Sequence, residues 1–220
     1  MPVAIYVGVA LLPINQFLKQ PIPYPHYLLP GILAMQIMQG GIYGLAYWMV
    51  DMRARGVLKR FAVTPINTFE LVLSLLSARI VVMLMQVVVM TMLGVLIFDV
   101  PFAWNILSIF VFTVLGGGIF LLVGLLISTF AKSYEAAAPI TAGIGLPLTF
   151  LGDIFYPIST LPHALQVVSK FLPITYLADG LRKVYLEPFS FNAVSFDIFI
   201  LALWFAVMLG LVIWRFRLED

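Results

Sequence analysis

Few residues in this chain can do chemistry, and they stand apart from one another. Asp51, Glu70, Asp99, Glu135, Asp153, Asp179, Glu187 and Asp197 all fall in polar breaks or beside them. None forms a carboxylate pair at helical spacing inside an apolar run. His26 and His163 are distant and lie in no metal-ligand spacing, and cysteine is absent, which excludes disulfides and thiolate metal sites. No GxxxxGK[ST] occurs and no lysine directly follows a glycine, so the chain cannot hold a nucleotide by a P-loop. HExxH and GxSxG are missing as well. The triplet Gly116 to Gly118 lacks a following Lys-Ser/Thr and reads as a flexible or closely packed point. Ion-coupled carriers usually place an ionisable group near the midplane of the membrane. None stands there, so energy for any transport must enter elsewhere.

The one dense charge cluster is DMRARGVLKRFAVT, Asp51 to Thr64. It carries Arg53, Arg55, Lys59 and Arg60, a third of all Lys and Arg in the chain. The surroundings are apolar: 63% of the 220 residues are hydrophobic, 10% are charged, and the mean hydropathy is +1.09. A soluble domain would be roughly a quarter charged. The apolar runs are long and do not alternate, which predicts an all-α integral membrane protein and not a barrel. In such a chain the basic island must sit in water or at a headgroup surface. The amino end lacks a basic region and a small-residue cleavage site, so no signal peptide is expected.

The elements that would position these groups follow in order. Residues 1–12 are apolar but short, half a membrane helix, and we expect the first half to be truncated. Pro21, Pro23 and Pro25 favour extended chain through 15–30, and Tyr24 and Tyr27 suit an interface. Complete spans are expected at 31–50, 70–98, 106–130, 136–157 and 196–214. Residues 51–64 form the polar loop, with a short surface helix, and Thr64-Pro65 reads as a helix start. Arg79 is near enough to the same end to snorkel to it. Pro139, Pro147, Gly143, Gly145 and Gly152 make 136–157 the least regular span, as expected where a helix is buried or lines a cavity. Residues 159–188 are too interrupted to span. They read as an outer hairpin of two amphipathic helices, Leu161 to Phe171 and Tyr176 to Tyr185, dipping into the interface.

Two sets of residues carry alternative readings. In 31–50, Gln36, Gln39, Tyr43 and Tyr47 share one face, and Gly41, Gly44 and Trp48 another. The polar stripe either packs between helices or lines a pathway. Asp153, at the end of its span, is either exposed at the interface or placed at a pore mouth or packing contact. Counting cations near span ends, the island groups with Lys132, Arg215 and Arg217, against Lys19, Lys170, Arg182 and Lys183. The bias places the island on the cytoplasmic side.

Four stretches then resemble one family. GVLKRFAVTPINTFELVLSLLSAR, Gly56 to Arg79, is similar to the segment after the second membrane helix of ABC-2 type transporter permeases. FLGDIFYPISTLPHALQVVSKFLPITYLADGLRKV, Phe150 to Val184, resembles their fifth helix and outer re-entrant hairpin. YLLPG, from Tyr27, resembles the start of the second helix, and FAKSYEAAAPIT, from Phe130, the inner loop before the fifth. The likeness runs from about Tyr24 onward. It departs from the family pattern at the shortened start and at Asp153, where a small residue is usual. The resemblance implies a helical bundle of five complete transmembrane helices plus a truncated first helix, pairing with a second permease, identical or not. It implies coupling to two copies of a separate ATPase that binds ATP and Mg, with no cofactor held by this chain, and a place in the bacterial inner membrane among lipids, with no nucleic acid. By matching motif, Arg53, Arg55, Gly56, Lys59, Arg60, Phe61, Thr64 and Pro65 would dock the ATPase. Gln36, Gln39, Tyr43, Tyr47, Thr141, Gly145 and Thr149 would line the substrate pathway. Asp153, Pro157, Leu161, Pro162, Pro173, Tyr176 and Arg182 would shape the outer gate, although turn structure alone also accounts for the prolines. The expected function is export of a hydrophobic or amphipathic substrate, drug-like or lipid-like, by a non-enzymatic subunit. The alternatives are a lipid-modifying membrane enzyme using His163, Asp179 and Arg182, and a self-coupled carrier or channel.

Overall fold

A computed structural model describes residues 2–10, 23–57, 68–101, 105–131, 133–188 and 190–215. Its described elements are helical: α1 (Pro2–Ala10), α2 (Tyr24–Ala54), α3 (Thr68–Phe98), α4 (Ile106–Phe130), α5 (Tyr134–Leu151), a 3-10 turn (Ile158–Thr160), α6 (His163–Ser169), α7 (Pro173–Leu186) and α8 (Phe191–Arg215). Among the described residues four helices are long and apolar enough to cross a membrane: α2, α3 from Leu73, α4 and α8. α5 has 18 residues, with Pro139 and Pro147 inside it, and is not among those four.

α2 is the axis of the bundle. It packs against α4 most extensively, then α7, α5, α3 and α1. At 31 residues it is about 46 Å long, well beyond a hydrocarbon core of about 30 Å, so both its ends must project into polar layers. It starts earlier than the proline spacing suggests. Residues 24–30 are helical and not extended, because Pro25 occupies the first turn, where a missing N–H costs nothing. Its other end runs on through Asp51–Ala54, so the island begins as the last turn of α2. Arg55 then caps the helix, and Gly56 takes a left-handed φ of +70 that favours glycine. The rest of the island, with Lys59, Arg60, Phe61, Thr64 and Pro65, lies outside the described residues.

The core is the α2–α4 contact. A Cβ on Gly41 would stand 2.6 Å from Phe120 Cβ, and one on Gly124 would stand 2.6 Å from the Gly41 carbonyl oxygen. Only glycines allow the two backbones to approach so closely. The triplet reading follows the same logic. A side chain at Gly116 would meet Leu177 of α7, and one at Gly118 would meet Phe205 of α8. The triplet is thus a set of close packing points. α2 and α4 are mostly buried, whereas α3 and α8 expose Val81, Met85, Leu96, Phe199, Leu203 and Trp214. Apolar side chains facing outward along the whole length of a helix are what a lipid environment requires.

α5 ends at Leu151, earlier than a span of 136–157. Gly152 caps it, and Asp153 adopts φ +58, which no helix interior accommodates. Of the two amphipathic helices expected over 159–188, the first, α6, is shorter than expected. Leu165 and Val168 of α6 face outward, while α7 buries Leu177, Leu181 and Val184 against α2, α4 and α8.

The two ends of the bundle are chemically distinct. One gathers Arg53, Arg79 over the Trp48 ring at 5.9 Å, and Arg215 over Phe130 at 5.5 Å. The other holds Asp153, Arg182, Lys183 and Asp197, together with the start of α2 and the end of α3, where His26 Nε2 lies 3.1 Å from the Phe98 carbonyl. This is the sorting that the cation count anticipates.

Candidate functional site

Between Gly31 and Val50, α2 is buried except along one stripe: Gln36, Gln39, Gly40, Tyr43, Gly44, Tyr47 and Trp48 are half-buried. The spacing is that of one helical face, so Gly44 and Trp48, expected on another face, join this one, and of that expected set Gly41 alone is buried. α3 forms one bank, where Met83 approaches Gly40 and Arg79 approaches Gly44 and Trp48. α5 forms the other. Tyr47 Oη lies 3.2 Å from Thr141 Oγ1, and the Tyr43 hydroxyl abuts Gly145 so closely that any Cβ there would collide with it. Tyr134, at the start of α5, stacks on Tyr47 at 5.7 Å, and Tyr47 stacks on Tyr43 at 6.2 Å. A tyrosine ladder therefore climbs the groove from the end where the arginines collect. Thr149 donates to the Gly145 carbonyl at 2.7 Å, one turn further on.

The structure brings Tyr43, Tyr47, Thr141 and Gly145 together in the groove, while Thr149 bonds within α5. Gln36 stands apart from them. It lines an apolar cleft of about 470 Å³ with Pro2, Val3, Val82, Met85 and Val89, and its buried Oε1 has no hydrogen-bond partner. Gln39 is half-buried on the same stripe. Tyr134 is absent from the sequence reading. Its signal is faint, because the stacking depends on where α5 begins.

Asp153 is the hub of the opposite end. Its Oδ1 accepts from the Tyr27 hydroxyl at 3.0 Å and from the Ile158 amide at 3.1 Å. Its Oδ2 pairs with Arg182 Nη1, and its backbone carbonyl accepts from Arg182 Nη2 at 2.7 Å. Arg182 also lies over the Tyr27 ring, 3.9 Å from the centroid. Both charged side chains are 12% exposed. Three separate elements, the start of α2, the segment after α5, and α7, thus meet on one ion pair. Two further contacts tighten the joint. Tyr24 donates to the Phe155 carbonyl at 3.1 Å, and a Cβ at Gly31 would strike the Ile154 carbonyl. Of the other residues expected at this end, Pro157 precedes the 3-10 turn and Pro162 precedes α6. Leu161 accepts from Gln166 at 2.8 Å, Pro173 opens α7, and Tyr176 donates to the Lys170 carbonyl at 2.7 Å.

The next residue, Lys183, reaches a different partner. Its Nζ is 2.8 Å from Asp197 of α8 and 2.8 Å from Asp179 one turn back. Burial alone would lower the Lys183 pKa. Hydrogen bonds to Asp179 and Asp197 and the attraction of both carboxylates outweigh it and hold the group above its ordinary value. Tyr185 meets Thr91 of α3, and burial pushes its phenol up to about 12. α7 is accordingly pinned to α5's exit segment, α8 and α3 by the polar contacts of Arg182, Lys183 and Tyr185, all within about one turn.

The arginines expected to dock a partner point in opposite directions. Arg53 turns inward, and its Nη1 donates to the carbonyls of Ser128 at 2.8 Å and Ala131 at 3.3 Å. Arg55 points outward and pairs with Asp51 at 2.9 Å, 68% exposed. Among the described residues no cluster of metal-ligating side chains occurs.

A helical bundle with lipid-facing apolar helices, a half-open polar groove and charges at its ends defines a multi-pass membrane protein. The chain belongs to the ABC-2 type transporter family, whose match covers residues 2–186. It is 25% identical over 166 residues to the inner membrane transport permease YadH of Escherichia coli K12, covering 74% of this chain and 63% of that one. It is 24% identical over 172 residues to the probable multidrug ABC transporter permease YbhR of the same strain, covering 78% of this chain and 46% of the relative. ABC transporter G family member 20 of Dictyostelium discoideum is 22% identical over 73% of this chain and 22% of its own length. The chain therefore spans less than two thirds of the length of these relatives.

Proposed function

We propose that the chain is the permease subunit of an ATP-driven exporter in a bacterial inner membrane. A separate ATPase, in two copies, docks on the segment that follows Gly56 and supplies the ATP and Mg. The substrate moves along the α2 groove, which a second permease closes from the open side. The substrate class is hydrophobic or amphipathic. The tyrosine ladder offers aromatic faces, and Gln36 offers an unpartnered acceptor. The relative named as a probable multidrug permease agrees with that class. The observation that carries the reading is the family match over residues 2–186, which takes in the basic segment and the Asp153–Arg182 joint together.

At the outer end the Asp153–Arg182 pair acts as a lock. Little exposed and held by four polar contacts, it keeps the start of α2, the exit of α5 and α7 together. Opening the exit requires that pair to separate or to gain water. Among the described residues no carboxylate lies along the groove, and its one cation, Arg79, sits over Trp48 at the arginine-bearing end, so we assign the driving force to the ATPase.

The test is co-purification with the ATPase encoded beside it, followed by transport in reconstituted vesicles. Wild-type chain is expected to bind the ATPase and export substrate only with ATP. Reversing charge at Lys59 and Arg60 is expected to abolish both. Full ATPase activity and transport in that variant would remove the docking role, and proton- or sodium-driven flux without any ATPase would remove the exporter reading.

A further inference from the structure

We infer that Arg53 is a positioning residue that clamps the end of α2 to the end of α4, so that force received beyond Gly56 moves the two helices as one body. The inference rests on the role proposed above for the segment after α2.

Arg53 lies in the last turn of α2, and its guanidinium bridges to the last turn of α4 through the Ser128 and Ala131 carbonyls. The final four carbonyls of a helix lack partners within it and carry the negative end of its dipole. One nitrogen of the permanently charged guanidinium, Nη1, supplies both bonds. The surroundings are a small apolar joint: Val50, Ala131 and Ala137 are buried together, with Tyr47, Ala136 and Ile140 packed on them. Low water access strengthens the charged hydrogen bonds.

The tie has mechanical meaning because of a second contact. Gly41 and Gly124 bring α2 and α4 into backbone contact; Arg53 lies about 18 Å further along α2, and Ser128 and Ala131 about 6 and 10 Å further along α4. α2 packs on α4 more extensively than on any other element, and Arg53 carries that contact to the last turn. Tying the two ends beyond the glycine contact keeps them from splaying apart. The chain then leaves this rigid pair through Arg55 and Gly56, whose left-handed φ turns the backbone. α4 continues the connection, since its Gly116 and Gly118 seat Leu177 of α7 and Phe205 of α8. The basic island therefore divides by function: Arg53 transmits, and the residues after Gly56 receive.

The experiment uses Arg53→Ala, Arg53→Lys and Arg55→Ala. The chain has no cysteine, so spin labels at Ala54→Cys and Phe130→Cys, both exposed, report the gap between the two helix ends in purified permease alone. Wild type and Arg55→Ala are expected to give one narrow distance. Arg53→Ala is expected to broaden it, with partial recovery in Arg53→Lys. With the ATPase added, Arg53→Ala should bind it as wild type does while transport per ATP falls about tenfold, the scale of losing a charged hydrogen bond. An unchanged distance distribution overturns the clamp, whatever the ATPase does. Loss of ATPase binding in step with Lys59 and Arg60 reversal would also overturn it, by making Arg53 a docking residue. Failure of wild type to bind any ATPase would sink the exporter reading and leave the distance result to decide the clamp.

Discussion

Asp153 concentrates more of this molecule's polar geometry than any other described residue. It holds an unfavourable left-handed backbone and repays it with the Tyr27, Ile158 and Arg182 contacts. Removing one partner of a little-exposed ion pair strands the other, so Asp153→Ala should cost about 3 kcal/mol in thermal or denaturant unfolding of the detergent-solubilised protein. The swap Asp153→Arg with Arg182→Asp should recover little, because the Ile158 amide and the Asp153 carbonyl fix the polarity of the site. Recovery to wild-type stability would show that net charge pairing, not this geometry, holds the joint. Lys183 gives a second expectation. Its pKa is raised on folding from 10.5, so its contribution is complete below that value and fades as pH rises through the higher folded value. Stability carried by Lys183 should thus be flat across neutral pH and decline only in strong alkali. A Lys183→Met variant should lose that alkaline component when the two unfolding curves are compared.

At the scale of elements, the helices are joined through glycines placed where backbones nearly touch. Gly124→Val should separate α4 from α2, costing about 3 kcal/mol or more, since overpacking a close contact has no side chain to displace. Gly210→Ala is the matched control. Nothing lies within 4 Å of a Cβ there, and alanine favours helix by about 1 kcal/mol, so thermal stability should hold or rise. Equal losses at both positions would show that helix propensity, not approach distance, sets the effect. The same reasoning applies at Gly145, where a valine would displace Tyr43 from the groove and should change transport before it changes folding.

For the molecule as a whole, burial divides the helices into an inner pair and an outer pair. A carbene-generating lipid should label Met85, Leu96, Phe199 and Leu203 on α3 and α8 and spare Leu33 on α2 and Phe112 on α4, read by mass spectrometry of peptides from vesicles. Heavy labelling of α2 and α4 would mean that the bundle opens to lipid. The groove's open side is the remaining apolar and aromatic surface of α2 and α5, where Ile144, Leu146 and Phe150 also face outward.

Much of this was legible in the chain. Composition and unalternating apolar runs determined a helical membrane bundle, because lipid leaves the backbone no other partner than itself. Helical period determined that Gln36, Gln39, Tyr43 and Tyr47 share a face, and that face is the half-open stripe of α2. Among the described residues the cation count grouped Arg53 with Arg215 and Arg182 with Lys183 as the structure does, because charges cannot lie in hydrocarbon. What the tertiary structure alone decided is which polar groups meet. Arg53 and Ser128 are 75 residues apart, Tyr27 and Asp153 are 126 apart, and Arg182 and Asp153 are 29 apart. No local pattern encodes such pairs, since they depend on how deep each helix sits and how it is rotated against its neighbours. Arg53 reads as one cation among four in the sequence. Only the packing of α2 on α4, set by the facing glycines, turns it inward.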